Sequence, residues 1–194
     1  MHVYKHPLWT FFLISLSGLI LVGCATRVSD SITVPVGELA MYEAIPKETS
    51  ITRLGNHISD AKSDNMPLLA PHYFREASDM LDKIKRLSPD DVSTDDLAKA
   101  DAILDKGEAV SRVVQNTLSR ELKLKVELDE LSANEIYPWR YKALINELSR
   151  LIEKIELGNS GNIDQDKEEL NKAMQELHAK TVQYTSSQKK EPLR

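Results

Sequence analysis

The chain has one cysteine in 194 residues. A lone cysteine closes no disulfide within the chain and cannot supply the clustered thiolates of a structural zinc site, so the folded body must hold by packing. Aromatic residues are scarce, at 6% of the sequence. Beyond the first two dozen positions they are Tyr42, Tyr73, Phe74, Tyr137, Trp139, Tyr141 and Tyr184. That composition suits helices faced with Leu, Ile, Val and Ala better than a large core around an enclosed pocket. Glycine-rich phosphate loops and the Gly-x-Ser-x-Gly elbow are both missing. No basic cluster occurs, and Asp and Glu outnumber Lys and Arg by 30 to 25, which removes the electrostatic case for nucleic acid or a polybasic membrane clamp. The apolar run from Leu8 to Val22 has fifteen residues, short of the roughly 20 that a spanning helix needs.

That run follows a single basic residue, Lys5, and has the layout of a secretory signal. It closes on Leu21-Val22-Gly23-Cys24, which resembles the lipobox of bacterial lipoproteins. The resemblance implies that the Cys24 thiol receives a diacylglyceryl group, that the chain is cut before Cys24, and that the new amino group is acylated in turn. One acyl chain holds a protein to a bilayer marginally, whereas two or three hold it firmly. With Cys24 acylated, no thiol is left for catalysis or metal binding. The removed segment holds Lys5 and no acidic residue, so the remaining 171 residues carry 24 Lys and Arg against 30 Asp and Glu, a net charge of −6. Ala25 follows the cysteine. In the lipoprotein family an aspartate there resembles an inner-membrane retention signal, and alanine implies an outer-membrane anchor with the body in the periplasm.

Residues 24–48 contain Pro35, Gly37 and Pro46 without a sustained helical period and read as a tether, with a short strand around Ile32 to Val36. From residue 49 the pattern is helical. Ile51, Leu54, Ile58 and Ala61 share one face. Pro71 opens a second helix with Phe74, Ala77, Leu81 and Ile84 on its stripe. A third reads from about Thr94 to Leu131, with the three-four alternation sustained through Gly107, Thr117 and Glu121. At 1.5 Å per residue its roughly 37 residues predict a rod about 55 Å long, with coiled-coil-like packing. Pro138 opens a fourth helix carrying Tyr141, Leu144, Leu148, Leu151 and Ile155, which Gly158 ends. The fifth carries Leu170, Ala173, Leu177, Thr181 and Tyr184. The sequence thus predicts an all-α, elongated antiparallel bundle of about five helices over 49–185, behind a signal peptide (1–23) and tether (24–48), with a polar, disordered tail at 186–194.

Pro71-x-x-Phe74-x-x-Ala77-x-x-x-Leu81 matches Pro138-x-x-Tyr141-x-x-Leu144-x-x-x-Leu148 at an offset of 67 residues. Any amphipathic helix opened by proline shares this pattern, so the sequence leaves a true repeat and a coincidence both open. The region Ala61-Lys62-x-Asp64-Asn65-x-x-x-Leu69-Ala70-Pro71-x-x-Phe74-x-x-Ala77-x-x-x-Leu81 resembles a helical region of unknown function in proteobacterial envelope lipoproteins, often found ahead of an OmpA-like peptidoglycan-binding domain. The residues after 185 do not resemble such a domain, so peptidoglycan binding does not carry over by motif.

No constellation with catalytic spacing appears. His57, His72 and His178 stand alone in local sequence, although His57 has Asp60 three residues on and His72 has Glu76 four residues on, spacings that face each other on a helix. Asp90-Asp91, Asp95-Asp96 and Glu168-Glu169 sit at helix starts, where the helix dipole favours negative charge. The expectation is therefore no enzyme, no cofactor and no metal. The most site-like stretch is Tyr137-Pro138-Trp139-Arg140-Tyr141, a helix entrance whose composition is enriched in binding hot spots. Tyr141 falls on the apolar stripe. Tyr137, Trp139 and Arg140 are either a partner-binding patch or a cap on the bundle end. Met66, Leu68 and Leu69 are a second apolar stretch that either binds or plugs. The expected role is a non-catalytic structural or interaction module of the cell envelope, held to the membrane by its N-terminal lipid and contacting another envelope protein or a second copy of itself. Binding of peptidoglycan or a small amphiphile is the alternative.

Overall fold

The computed structural model describes residues 33–34, 36–159 and 161–188. Among them there is no strand, and nine α-helices follow one another: α1 (Val36–Glu43), α2 (Lys47–Ser63), α3 (Met66–Leu69), α4 (Pro71–Ile84), α5 (Thr94–Thr117), α6 (Ser119–Glu130), α7 (Ala133–Ile136), α8 (Pro138–Glu156) and α9 (Ile163–Gln188). The all-α class is as the periodicity predicts. The helix count is higher than five, for three separate reasons.

First, the expected tether is helical over Val36–Glu43; of the strand expected around Ile32 to Val36, Thr33 and Val34 are in no strand and Val36 opens α1, while Ile32 and Pro35 lie outside the described residues. Eight residues make a helix too short to stand alone. Tertiary contact holds it: Tyr42 is fully buried in the first core, and its hydroxyl donates to Asp101 Oδ2 at 2.7 Å. Second, the predicted rod from 94 to 131 is interrupted at Leu118, which leaves helical geometry at φ −108°, ψ 25°. Thr117 and Ser119 flank the break, and both favour local backbone bonding over helix interior. Leu118 itself is fully buried, in the second core. Third, the apolar loop residues Met66 and Leu69 form the one-turn α3 and plug inward, while Leu68 is exposed, and a matching one-turn helix, α7, precedes Pro138.

The last feature has a double. Asn65 and Ser132, 67 residues apart, both adopt left-handed backbone, at φ 62° and φ 54°. Ala70 and Tyr137, at the same offset, take φ −145°, ψ 63° and φ −132°, ψ 59°. Their backbone bonds correspond one to one: Ala70 N–H to Met66 O at 2.8 Å and Tyr137 N–H to Ala133 O at 2.8 Å, then Phe74 to Ala70 at 3.1 Å and Tyr141 to Tyr137 at 3.0 Å. The packing partners correspond as well, since α5 takes α2, α3 and α4 as α9 takes α6, α7 and α8. The described residues from 47 to 188 therefore form two structural repeats, α2–α5 and α6–α9, with α1 in front, and the break at Leu118 is their junction.

Each repeat centres on its own core, although Leu69 and Val114 of the first repeat pack into the second core. The first joins Leu54, Ala61, Tyr73, Ala77, Leu81, Leu97 and Ile103; the second joins Leu128, Leu148, Leu151, Leu170, Met174 and Leu177. Equivalent positions exchange volume. In the first repeat Met66 faces Gly107, where an added Cβ would lie 1.8 Å from Met66 Cε and 2.8 Å from Tyr73 Cβ. In the second, the matching residues are Ala133 and Met174, both fully buried, with the large side chain now on the long helix. Gly107, read from sequence as a weakness in the seam, is the space into which α3 and α4 close. Polarity is exchanged too. Leu54 and Leu104 are fully buried, and their counterparts Glu121 and Asn171 form a buried hydrogen bond of 3.0 Å. At the far end of α8, Gly158 at φ 71° closes a Schellman turn, with Asn159 N–H on Lys154 O at 2.8 Å and Gly158 N–H on Ile155 O at 3.1 Å.

Candidate functional site

The lipobox residues Leu21, Val22 and Gly23 and the lipidation residue Cys24 lie outside the described residues. No helix among the described residues is long and apolar enough to cross a membrane.

The entrance of α8 separates the residues that sequence grouped together. Tyr137 turns inward: it is half-buried against the second core and makes an edge-to-face contact with Tyr184, ring centroids 6.4 Å apart. Tyr141 is also half-buried and donates its hydroxyl to Asp129. Burial, with that carboxylate behind it, pushes its pKa up to about 12. Trp139 turns outward and is 85% exposed, the most exposed large apolar side chain described, with exposed Arg140 beside it. An indole left in water forgoes the burial that ordinarily makes tryptophan stabilising.

The first repeat shows how the same entrance looks when it is covered. There α4 begins at Pro71, and the His72 and Tyr73 amides donate to one oxygen of Glu156 at 2.8 and 3.1 Å. Those are the N–H groups a helix leaves without internal acceptors. Glu156 reaches them because α8 continues five residues past the length of α4, and the carboxylate is 6% exposed. Burial pushes its pKa up, against the two amide bonds and the nearby His72. His72 Nε2 also lies 3.3 Å from Glu153. No described element covers the entrance of α8 in the same way, and the amides of Trp139 and Arg140 have no partner among the described residues.

A second cluster joins α1, α2 and α5. His57 does not pair with Asp60 on its own helix. Its Nδ1 is 2.5 Å from Asp101 Oδ1, its Nε2 is 3.0 Å from Glu108 Oε1, and Asp105 Oδ1 is 3.8 Å from the same nitrogen. Asp101 is buried and also accepts from Tyr42, with Arg53 at 3.6 Å. The hydrogen bond to Asp101 does most to raise the His57 pKa to about 9; burial opposes it and Glu108 adds to it. Burial alone would push the Asp101 carboxyl up, but the bonds from His57 and Tyr42 and the charges of His57 and Arg53 outweigh it and hold it below its usual value. Asp105, by contrast, is pushed up by burial and by the charge of Asp101. The imidazole is thus held between two helices with both nitrogens engaged. Sequence spacing pointed to Asp60 because only same-helix neighbours are visible in a linear pattern. The usable signal was on α5, where Asp101, Asp105 and Glu108 recur at four and three and so share a face.

No protein-family model matches the chain, and neither a curated protein nor a solved structure matches it.

Proposed function

We propose that the chain is a non-catalytic lipoprotein of the cell envelope, anchored in the outer membrane through acylated Cys24, whose periplasmic helical body captures another envelope protein at the entrance of α8. The observation that carries this reading is Trp139, 85% exposed beside Arg140 at a helix entrance whose counterpart in the first repeat is covered. The coverage there also indicates the chemistry of the partner. Glu156 offers the α4 amides a carboxylate at the end of a helix. A partner bringing an acidic side chain to the α8 amides and Arg140, with apolar surface for the indole, satisfies the same groups. Aromatic and arginine anchors of this kind carry most of the energy of protein interfaces. The lipobox supports the anchor, and Ala25 supports the outer membrane.

Two measurements on the full-length chain in cells test the reading. Mass spectrometry of the N-terminal peptide should find an acylated Cys24, and Cys24→Ser should move the protein out of the membrane fraction. Co-purification of a single envelope protein should be lost in Trp139→Ala/Arg140→Ala while helicity is unchanged. A membrane-bound Cys24→Ser protein would remove the anchor. Partner recovery that ignores the double substitution would remove the α8 entrance as the docking surface.

A further inference from the structure

We propose that His57, Asp105 and Glu108 form a binding site for a borderline divalent transition-metal ion of the zinc(II) type, bridging α2 and α5. The imidazole Nε2 and one oxygen of each carboxylate lie within 4.8 Å of one another. Ligand atoms at the usual zinc distances of about 2.0–2.2 Å in a tetrahedron stand about 3.3–3.5 Å apart. The separations of Nε2 from Glu108 and Asp105, 3.0 and 3.8 Å, bracket that range. Small side-chain rotations bring the three into place, because Asp105 and Glu108 lie three residues apart on one face of α5.

The supporting shell is the second observation. A metal-binding histidine commonly donates its other ring nitrogen to a carboxylate, which fixes the tautomer and the ring orientation. Here buried Asp101 holds Nδ1 at 2.5 Å and is itself held by the Tyr42 hydroxyl at 2.7 Å. That leaves Nε2 as the nitrogen facing the two carboxylates. One imidazole with two carboxylates suits zinc or its first-row neighbours, and suits neither calcium, which takes oxygen ligands, nor the soft ions that take thiolates. Asp105 has a side chain 56% exposed, so the site is open on one side for entry of the ion and for a water as fourth ligand. The ion takes the place of the proton that Nε2 otherwise shares with Glu108. It crosslinks the two helices on which α1 rests, and it depends neither on the lipid anchor nor on the α8 entrance.

The test is calorimetric titration of zinc chloride into the purified full-length chain after chelator treatment, with cobalt(II) absorption as a report on ligand geometry. The expected result is one saturable equivalent and a tetrahedral cobalt spectrum. Asp105→Asn and Glu108→Gln should each weaken binding at least tenfold. Asp101→Asn, which removes the charged support of the imidazole and also touches Tyr42 and Arg53, should weaken it by about 10–100-fold. Asp105→Asn leaves both hydrogen bonds of His57 in place, so it separates loss of a ligand from loss of fold. No saturable binding would overturn the proposal. So would binding that both Asp105→Asn and Glu108→Gln leave within twofold of the parent, since the ion would then sit elsewhere.

Discussion

Replacing Glu121 and Asn171 together by leucine should cost far less stability than the two single replacements added together, although either replacement alone should harm the protein. The perturbation copies the first repeat into the second, where Leu54 and Leu104 occupy the equivalent positions. Glu121 is 2% exposed and accepts from Asn171 Nδ2 at 3.0 Å. Glu121→Leu alone leaves that amide buried without an acceptor, a loss of about 1–3 kcal/mol. Asn171→Leu alone strands a buried carboxylate, which costs about 3–5 kcal/mol when its partner is removed. Replacing both removes the buried pair, while Gln175, which donates to Asn171 Oδ1 at 2.8 Å, is exposed and can turn to water; apolar substitution of a buried polar pair is typically neutral or stabilising by about 1–4 kcal/mol. Leucine is larger than asparagine, and overpacking takes back about 1–3 kcal/mol. The net expectation is a change between about −3 and +3 kcal/mol relative to the parent, against a loss of about 4–8 kcal/mol if the two single losses simply added. Urea unfolding of the four proteins, followed by circular dichroism, gives the coupling directly. A double variant whose loss equals the sum of the two single losses would refute the reasoning, because equivalent positions in the two repeats would then not be equivalent in packing.

Gly107→Ala should destabilise the first repeat by about 1–2 kcal/mol in the same assay, since overpacking against Tyr73 Cβ at 2.8 Å outweighs a helix-propensity gain of about 1 kcal/mol; a stabilised variant would show that α3 and α4 have room to withdraw. The His57 pKa is raised in the folded state, so its contribution is complete below pH 6.5 and is lost as pH rises through about 9. A rise of that size corresponds to about 3 kcal/mol, which solvent on the Asp105 side of the cluster reduces to about 1–2 kcal/mol. In the presence of chelator, stability should therefore fall between pH 6.5 and 9 in the parent and stay flatter in His57→Gln; equal slopes would remove the cluster as the cause. Trp139→Ala should change the unfolding free energy by no more than about 0.5 kcal/mol, as for other surface positions, because the indole is 85% exposed; a larger loss would place Trp139 in the bundle.

The strong stripes were legible in the sequence. Leu81 and Leu148, the shared leucine of the 67-residue echo, are 4% and 1% exposed, and the prolines at 71 and 138 both open helices. The echo itself was visible only over eleven residues, because repeats conserve backbone geometry while exchanging side chains. Leu54 against Glu121 and Met66 against Ala133 look unrelated until Asn65 and Ser132 are seen in the same left-handed conformation. The break at Leu118 was hidden by an alternation that continues across it, since two helices joined in register keep the same pattern. Helix α1 was hidden by its length, and its formation depends on Tyr42 meeting a core made elsewhere. At the α8 entrance, composition marked the stretch without deciding which ring faces water, because that depends on Tyr184 arriving from α9 to take Tyr137. The His57 cluster brings together residues 44 and 51 positions apart, a distance that no local spacing rule spans.

The most direct test of partner capture at the α8 entrance places a photoreactive phenylalanine analogue at position 139 of the full-length chain in living cells. A control chain carries it at Val126, which is 54% exposed on α6. Irradiation should give one discrete adduct with an envelope protein from position 139, none from position 126, and a strongly reduced yield when Arg140→Ala is added. The same adducts from both positions, or none from 139, would contradict the α8 entrance as the docking surface.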